Sequence, residues 1–508
     1  MKTKKQTTIL VLSVFLFCAM GEDSEGKDTG RQNVKPNVLF IAIDDLNDWN
    51  GMLKGNPQAR TPHMDKLASK GMLFTNAHCS APACGPSRSA IMSGIKPSTS
   101  GNYINRSSLI HNPILNNSVL LPEFFQQNGY YVCGAGKLFH GYHFNNEVKG
   151  RGFDEYYPSK TQDLPPWKFK FSKPTPLSGI KLARYADWGP YHPDITIEDT
   201  CDGKTAKWAE EKLLGGELKE PFFLGAGIFE PHLPNYTLQK YFDRFPLDEI
   251  ELPKGYREGD LKDVPKAHSK MQHIAWAKRI RDAGQWKPAI QAYLACTAMV
   301  DDLIGQIVGA LEKSKYADNT IIVLWSDHGW HVGEKGITGK NSLWDDGTRV
   351  PLIFAGPGVK PGQICAQPAE LLDIYPTLNE LLKLPKNKTL EGHSLVPQLK
   401  NAKAERKWPA ITTHNHDNHG VRSEHWRFIQ YADGSQELYD MRKDPNEWTN
   451  LAYDSKFASV IAEHKKFLPK ANRQPAPGSR ARILTYLKGK VVWQGEEIKP
   501  NTPIPGMD

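Results

Sequence analysis

Uninterrupted apolar runs alternate with amphipathic stretches along this chain. The first, "NVLFIAI" from Asn37, puts six apolar residues in a row before ending abruptly in Asp44 and Asp45. A run that short, rich in branched side chains, predicts a strand buried on both faces, as in parallel sheets. The pattern recurs in "YYVCGAG" ahead of Lys137 and His140, in "PFFLGAGIF" ahead of His232, and in "TIIVLWS" ahead of Asp327 and His328. Between these runs lie helical patterns. "TPHMDKLASKGM" offers Thr61 as N-cap and Pro62 at the first helical position. "LPEFFQQNG" stops at Gly129, and "AIQAYLACTAMVDDLIGQIVGALEKS" is long and amphipathic. Strands alternating with helices predict an α/β fold, a doubly wound and largely parallel sheet. In such sheets ligands bind beyond the C-terminal strand ends, where all four runs deliver ionisable groups.

The character changes near residue 400. "GVRSEHWRFIQYADGSQELYDMRKDP" reads as short antiparallel strands joined at "ADGS", so residues 401–508 are expected to form a smaller C-terminal α+β subdomain beside a catalytic domain at 34–400. Residues 160–200 read as an irregular excursion toward substrate.

The N-terminus has Lys2, Lys4 and Lys5, the apolar run "ILVLSVFLF", then "CAMG" and a polar stretch. This is the three-part pattern of a secretory leader, expected at 1–21 with a flexible lead at 22–33, and it predicts export to the periplasm or beyond. The run is too short to span a bilayer comfortably, and no later segment reads as long and apolar enough, so no stable membrane insertion is expected. Seven cysteines in 508 residues make no disulfide framework. Net charge is +8 from 64 basic and 56 acidic residues. That suits an anionic substrate, while the lack of a dense basic run with interleaved aromatics argues against nucleic acid.

Two buried-strand ends carrying Asp44 with Asp45 and Asp327 with His328 predict an oxygen-rich cation site, favouring Ca²⁺, with Mg²⁺ second, over zinc. In "CSAPACGPSRSAIMSG" only Cys84 has Pro at +2 and Arg at +4. Cys84 precedes a helix start, where a depressed pKa would suit a nucleophile, although a buried inert cysteine is the commoner fate.

"CGPSR" at 84–88, with Gly94 beyond, resembles the signature of type I sulfatases. The resemblance runs from about residue 34 to 455, and implies an alkaline-phosphatase-like fold and oxidation of Cys84 by a separate maturation enzyme to formylglycine, whose aldehyde hydrate is the nucleophile. It implies Asp44, Asp45, Asp327, His328 and modified Cys84 as calcium ligands, with Arg88, Lys137, His140, His232 and Lys340 as catalytic groups. His232 is expected to protonate the leaving alcohol, with Lys340 as competitor, and His140 to take a proton from the second hydroxyl at 84. Arg88 is expected to steady the nucleophile's charge.

"GKLFH", "FEPHLP", "SDHGWHVGEKG" and "RVPLIF" look closest to iduronate-2-sulfatase-like members and their bacterial relatives, which act on glycosaminoglycans and algal ulvan. One departure is Glu230, where relatives often carry a basic residue before "PH". An acid facing the sugar there would disfavour a uronate and favour a neutral sugar. His414, His416 and His419 in "THNHDNHG" lack a zinc spacing and are read as substrate contacts, with Asn102, Tyr103 and Trp344 as further candidates. The expected activity is exo-acting removal of a 2-O-sulfate from a sulfated saccharide. The alternatives are a phosphonate or phosphate-ester hydrolase of the same superfamily, and a catalytically silent polysaccharide-binding protein.

Overall fold

Strand β1 (Asn37–Ile43) lies inside an eight-stranded sheet, and all seven of its residues are buried. The other strands of this sheet are β2 (Met72–Phe74), β3 (Tyr131–Gly136), β4 (Glu155–Tyr157), β5 (Phe222–Gly227), β6 (Thr320–Ser326), β7 (Leu352–Ala355) and β8 (Gln363–Cys365), in the order β8-β2-β7-β6-β1-β5-β3-β4. From β6 to β4 five neighbouring strands run parallel. Only β7 breaks the direction, pairing antiparallel with both β6 and β2. The computed structural model describes residues 35–105, 109, 112–140, 151–157, 170–182, 186–267, 273–476, 484–487, 490–493 and 496–497. The expected leader (1–21), the polar lead (22–33), the Pro-rich end and part of the 160–200 excursion lie outside the described residues.

Side chains alternate across a strand, so β1 feeds two apolar layers. Leu39, Ile41 and Ile43 join one with Tyr293 and Leu294; Val38, Phe40 and Ala42 join the other with Ile91, Met92, Phe124 and Phe125. Helices α1 (Pro62–Lys70), α4 (Cys201–Gly215) and α5 (Trp286–Lys313) cover the first face, while α2 (Cys84–Ser93) and α3 (Leu121–Gln127) cover the second. This is the doubly wound arrangement that the runs predict. Phe40 sits 5.3 Å from both Phe223 and Trp325. Phe40→Ala is therefore expected to cost about 3–5 kcal/mol, read as a lower denaturant midpoint.

Contrary to the sequence reading, helix α5 does have the length and apolarity to cross a membrane, but most of it is buried inside the protein. Its apolar surface is taken up by the core, which a hydropathy pattern alone cannot distinguish from lipid contact.

Beyond residue 400 come β9 (Ala410–Thr413), β10 (His419–Arg422), β11 (Trp426–Gln430) and β12 (Gln436–Asp440), an antiparallel meander. The "ADGS" turn closes β11 to β12 with Gly434 at φ 83°, a left-handed conformation that glycine adopts without strain. The meander docks on the segment leading into Cys84. Thr413 N–H donates to the Ser80 carbonyl at 2.9 Å, and the Thr412 hydroxyl donates to that of Cys79 at 2.6 Å. From Lys35 onward the described chain forms one compact unit.

Candidate active site

Cys84 is the first residue of α2, a helix buried along its whole length. The Cys84 side chain is fully buried, with the Lys340 ammonium 2.9 Å and His328 Nε2 3.2 Å from its sulfur. His328 Nδ1 lies 2.9 Å from the Gly329 carbonyl, which can only accept, so Nδ1 carries the proton and Nε2 offers a lone pair. Burial pushes the Cys84 thiol pKa up; Lys340 opposes the rise, but Asp327 and Asp45 add to it. The surroundings therefore work against the depressed thiol pKa expected at a helix start: burial among carboxylates opposes the thiolate that the helix terminus favours.

Around this sulfur the strand ends converge. Ligand atoms of Asp44, Cys84, Asp327 and His328 lie within 4.8 Å of one another, as do those of Asp44, Asp45, Cys84 and His232. His328 Nε2 is 3.1 Å from Asp45 Oδ1 and 3.6 Å from Asp327 Oδ1. Three carboxylates and one imidazole nitrogen in a buried cluster fit a hard divalent cation, and fit zinc poorly. The cluster already draws cations. Lys137 pairs with Asp44, and Lys340 lies 2.8 and 3.1 Å from the two oxygens of Asp45. Burial opposes the charged form of Asp327, yet Arg88, His328, Lys137 and Lys340 outweigh it and hold that carboxyl far below the usual range.

Arg88 does a different job from the one expected. Its Nε donates to Asp327 Oδ2 at 2.8 Å, Nη1 to the carbonyls of Lys137 and Leu138, and Nη2 to the Ile43 carbonyl at 3.1 Å and Asp44 Oδ1 at 3.4 Å. These contacts use all five N–H donors, leaving none for a charge at residue 84. Arg88 ties the ends of β1, β3 and β6 together and acts through the groups they carry. The Ser87 hydroxyl adds a 2.6 Å bond to the Asp327 carbonyl. Tyr293 of α5 holds the Asp45 carbonyl at 2.8 Å and accepts from Asn47 N–H at 3.0 Å. Nothing near Tyr293 in sequence signals that role, whereas Ser87 lies inside the cysteine motif.

The remaining ionisable groups line the same edge. Burial, then Lys340, lowers the Lys137 pKa to about 7. Burial, then Lys137 and Lys340, holds both His140 and His232 well below the ordinary imidazole range. His140 Nδ1 is buried with no hydrogen-bond partner among the described residues. His232 Nδ1 lies 2.5 Å from the Leu233 carbonyl, and its Nε2 lies 3.9 Å from Asp45 Oδ2.

Glu230 departs from its expected place. It is 3% exposed, beside the Cys296 thiol and the Asp202 carboxyl, and burial keeps its own carboxyl protonated well above the usual range. It does not face a sugar, so the case against a uronate falls away.

The candidate substrate contacts divide. His416 packs edge-on against Tyr103 at 6.2 Å, its Nε2 lies 3.3 Å from the Asn472 carbonyl, and the Tyr103 hydroxyl donates to the Arg473 carbonyl at 2.8 Å. Burial lowers the His414 pKa to about 4, and its N–H donates to the Asn418 carbonyl. Asn102 is buried in the loop of Tyr103, a loop tied to helix α2 by Gly85 N–H donating to Asn105 Oδ1 at 2.9 Å. His419 is not a loop residue. It opens β10, is 2% exposed, and its Nδ1 lies 3.1 Å from the Thr413 hydroxyl. Trp344 is also corrected: it is fully buried in an apolar cluster with Tyr439, and its Nε1 donates to Glu437 at 2.8 Å. No substrate reaches it.

Carboxylates that could hold a cation, with two lysines and two histidines, gather at the C-terminal edge of this sheet, an arrangement suited to hydrolysis of an anionic ester. A Sulfatase family model matches residues 36–384, and a model of the N-sulphoglucosamine sulphohydrolase C-terminal region matches 333–474. The chain is 41% identical over 465 residues to a sulfatase of Formosa agariphila, covering 88% of this chain and 89% of that one. It is 28% identical to a Δ4,5-hexuronate-2-O-sulfatase of Bacteroides thetaiotaomicron over 85% and 88% of the two chains. The solved structure of a 2-O GAG sulfatase superposes with a TM-score of 0.62, 23% identity, and coverage of 92% and 98%. That last likeness shows the fold alone. The chain belongs to the sulfatase family and is a sulfuric ester hydrolase.

Proposed function

We propose that this chain is an exported, calcium-dependent sulfatase that removes a 2-O-sulfate from the terminal sugar of sulfated polysaccharide fragments derived from glycosaminoglycan or ulvan, with a formylglycine made from Cys84. The observation that carries this reading is the placement of residue 84, the cysteine of C-G-P-S-R, against Lys340 at 2.9 Å and His328 at 3.2 Å amid three carboxylates. The hexuronate-2-O-sulfatase relative supports the sulfate position, and the inward-turned Glu230 leaves room for a uronate. The lysine-rich leader supports export.

Asp44, Asp45, Asp327 and His328 Nε2 would hold the calcium. Bound there, that ion supplies a fixed charge that polarises the ester and offsets negative charge as the bond breaks. The aldehyde at 84 supplies, as its hydrate, the attacking oxygen. Burial lowers the Lys340 pKa, but the carboxylates of Asp45 and Asp327 oppose it, and the residue is held as an ammonium above its usual range. Lys340 therefore binds sulfate oxygens alongside Lys137, rather than giving up a proton. His232 Nε2 donates its proton to the departing sugar oxygen; a bound anionic sulfate raises its proton affinity, so the acid form belongs to the complex. His140, kept neutral, takes a proton from the second hydroxyl at 84.

The test is a panel of sulfated disaccharides, with 4-nitrophenyl phosphate and a phosphonate monoester alongside, assayed after co-expression with a formylglycine-generating enzyme. Fastest sulfate release is expected from a non-reducing-end 2-O-sulfated uronate. Preference for phosphorus esters, or reaction only at internal positions of long chains, would overturn the reading.

A further inference from the structure

His232 sits on a turn whose backbone donors are all accounted for. Strand β5 ends at Gly227, and Ile228 N–H donates to the Ala42 carbonyl at 2.8 Å. Pro231 has no N–H, and His232 N–H donates to the Phe229 carbonyl at 3.1 Å. The two amides between them go to one side chain. Asp202 Oδ1 accepts from Phe229 N–H at 2.7 Å, and Oδ2 accepts from Glu230 N–H at 2.9 Å. Asp202 is 4% exposed and lies in the first turn of α4, whose start is fixed by the Thr200 hydroxyl accepting from Gly203 N–H at 3.0 Å. The Phe229 ring lies 4.8 Å from the His232 ring. A short carboxylate on a rigid helix thus grips the first half of the turn, and the ring it positions packs on the histidine. Two hydrogen bonds to a charged acceptor in a buried site are strong and directional.

We propose that Asp202 is a positioning residue for His232: it fixes the Phe229–Glu230 backbone so that the imidazole Nε2 meets the leaving oxygen. This rests on His232 being the acid described under Proposed function. Misplacement of a catalytic group by about 1 Å costs about 100-fold, so the effect is measurable. It should also depend on the leaving group, because a nitrophenolate departs without a proton and a sugar alkoxide does not.

The experiment compares the wild type with Asp202→Ala, Asp202→Asn, His232→Ala and the Asp202→Ala/His232→Ala double variant. Each is assayed on 4-nitrophenyl sulfate and on a 2-O-sulfated unsaturated uronate disaccharide, at equal aldehyde content by mass spectrometry. Asp202→Ala is expected to lower kcat on the disaccharide about 100-fold and on the aryl ester less than about 10-fold. The double variant should be no slower than His232→Ala. Asp202→Asn, which keeps one acceptor oxygen, should fall between, and guards against a folding defect in the alanine variant. Amide exchange at Phe229 and Glu230 should quicken in Asp202→Ala while that of β5 is unchanged. Additive losses in the double variant, or equal losses on both esters with Asp202→Ala, overturn the positioning role alone. If His232→Ala slows both esters alike, the acid assignment fails and this inference falls with it.

Discussion

Cys84→Ala is expected to lower sulfate release by about 10⁴-fold or more, the scale seen when a covalent nucleophile is deleted and binding alone remains. The loss should be chemical and not structural. The side chain is fully buried but small, and its polar contacts are to Lys340, His328 and Asp45; the first two keep Asp45 as a partner when the sulfur is removed. The unfolding midpoint should therefore move little. The matched control is Cys79→Ala. That thiol is equally buried and burial raises its pKa in the same way, yet its sulfur lies 4.0 Å from the Gly347 carbonyl and touches none of the strand-end groups. Activity in that variant should persist. Mass spectrometry of the wild type completes the test: the peptide with residue 84 should have lost one sulfur and two hydrogens and gained one oxygen, while that with Cys79 is unchanged. Full activity with an unmodified Cys84 thiol would defeat the mechanism.

What the sequence disclosed, and what it hid, follows from the range of the interactions. Asp44, Asp45, Asp327 and His328 were legible because each pair follows an apolar run, and parallel strands place such ends at one edge. Cys84 was legible because Pro86 and Arg88 mark it. The partners of Arg88 were not: its donors go to carbonyls of Ile43, Lys137 and Leu138, and a carbonyl has no identity in a sequence. Asp202 and Tyr293 were hidden for a related reason. Each sits in a helix and serves backbone groups delivered by a remote strand end, so no local pattern distinguishes it from a solvent-facing acid or a core aromatic. Glu230 and Trp344 misled by proximity. Each is close in sequence to a functional residue, yet its side chain turns inward, toward Cys296 in one case and Glu437 in the other.

Asp327 should show how tightly stability and catalysis are joined at this edge. Arg88 and Asp327 are both fully buried, and their 2.8 Å contact ties the end of β6 to the ends of β1 and β3 that Arg88 also holds. Asp327→Ala removes the counter-charge while the guanidinium stays buried, and losing one partner of such a pair costs about 3–5 kcal/mol. That loss should appear as a lower denaturant midpoint in calcium-free buffer. A second loss should appear only when calcium is added. Wild type should gain stability as RT ln(1 + [Ca²⁺]/Kd), and magnesium should do less because it demands stricter six-fold geometry and sheds water reluctantly. Asp327→Ala should gain little from either ion, since an oxygen ligand is gone and Asp45 N–H has lost its 3.1 Å acceptor. Asp327→Asn separates the two roles: the amide keeps an acceptor oxygen for Arg88 and recovers part of the metal-free stability, but without a charge it should not recover the calcium response. If Asp327→Ala responded to calcium as the wild type does, the cation would lie elsewhere. If instead its metal-free midpoint were unchanged, the Arg88 pair would not be what fixes the three strand ends, and the convergence of the site would need another cause.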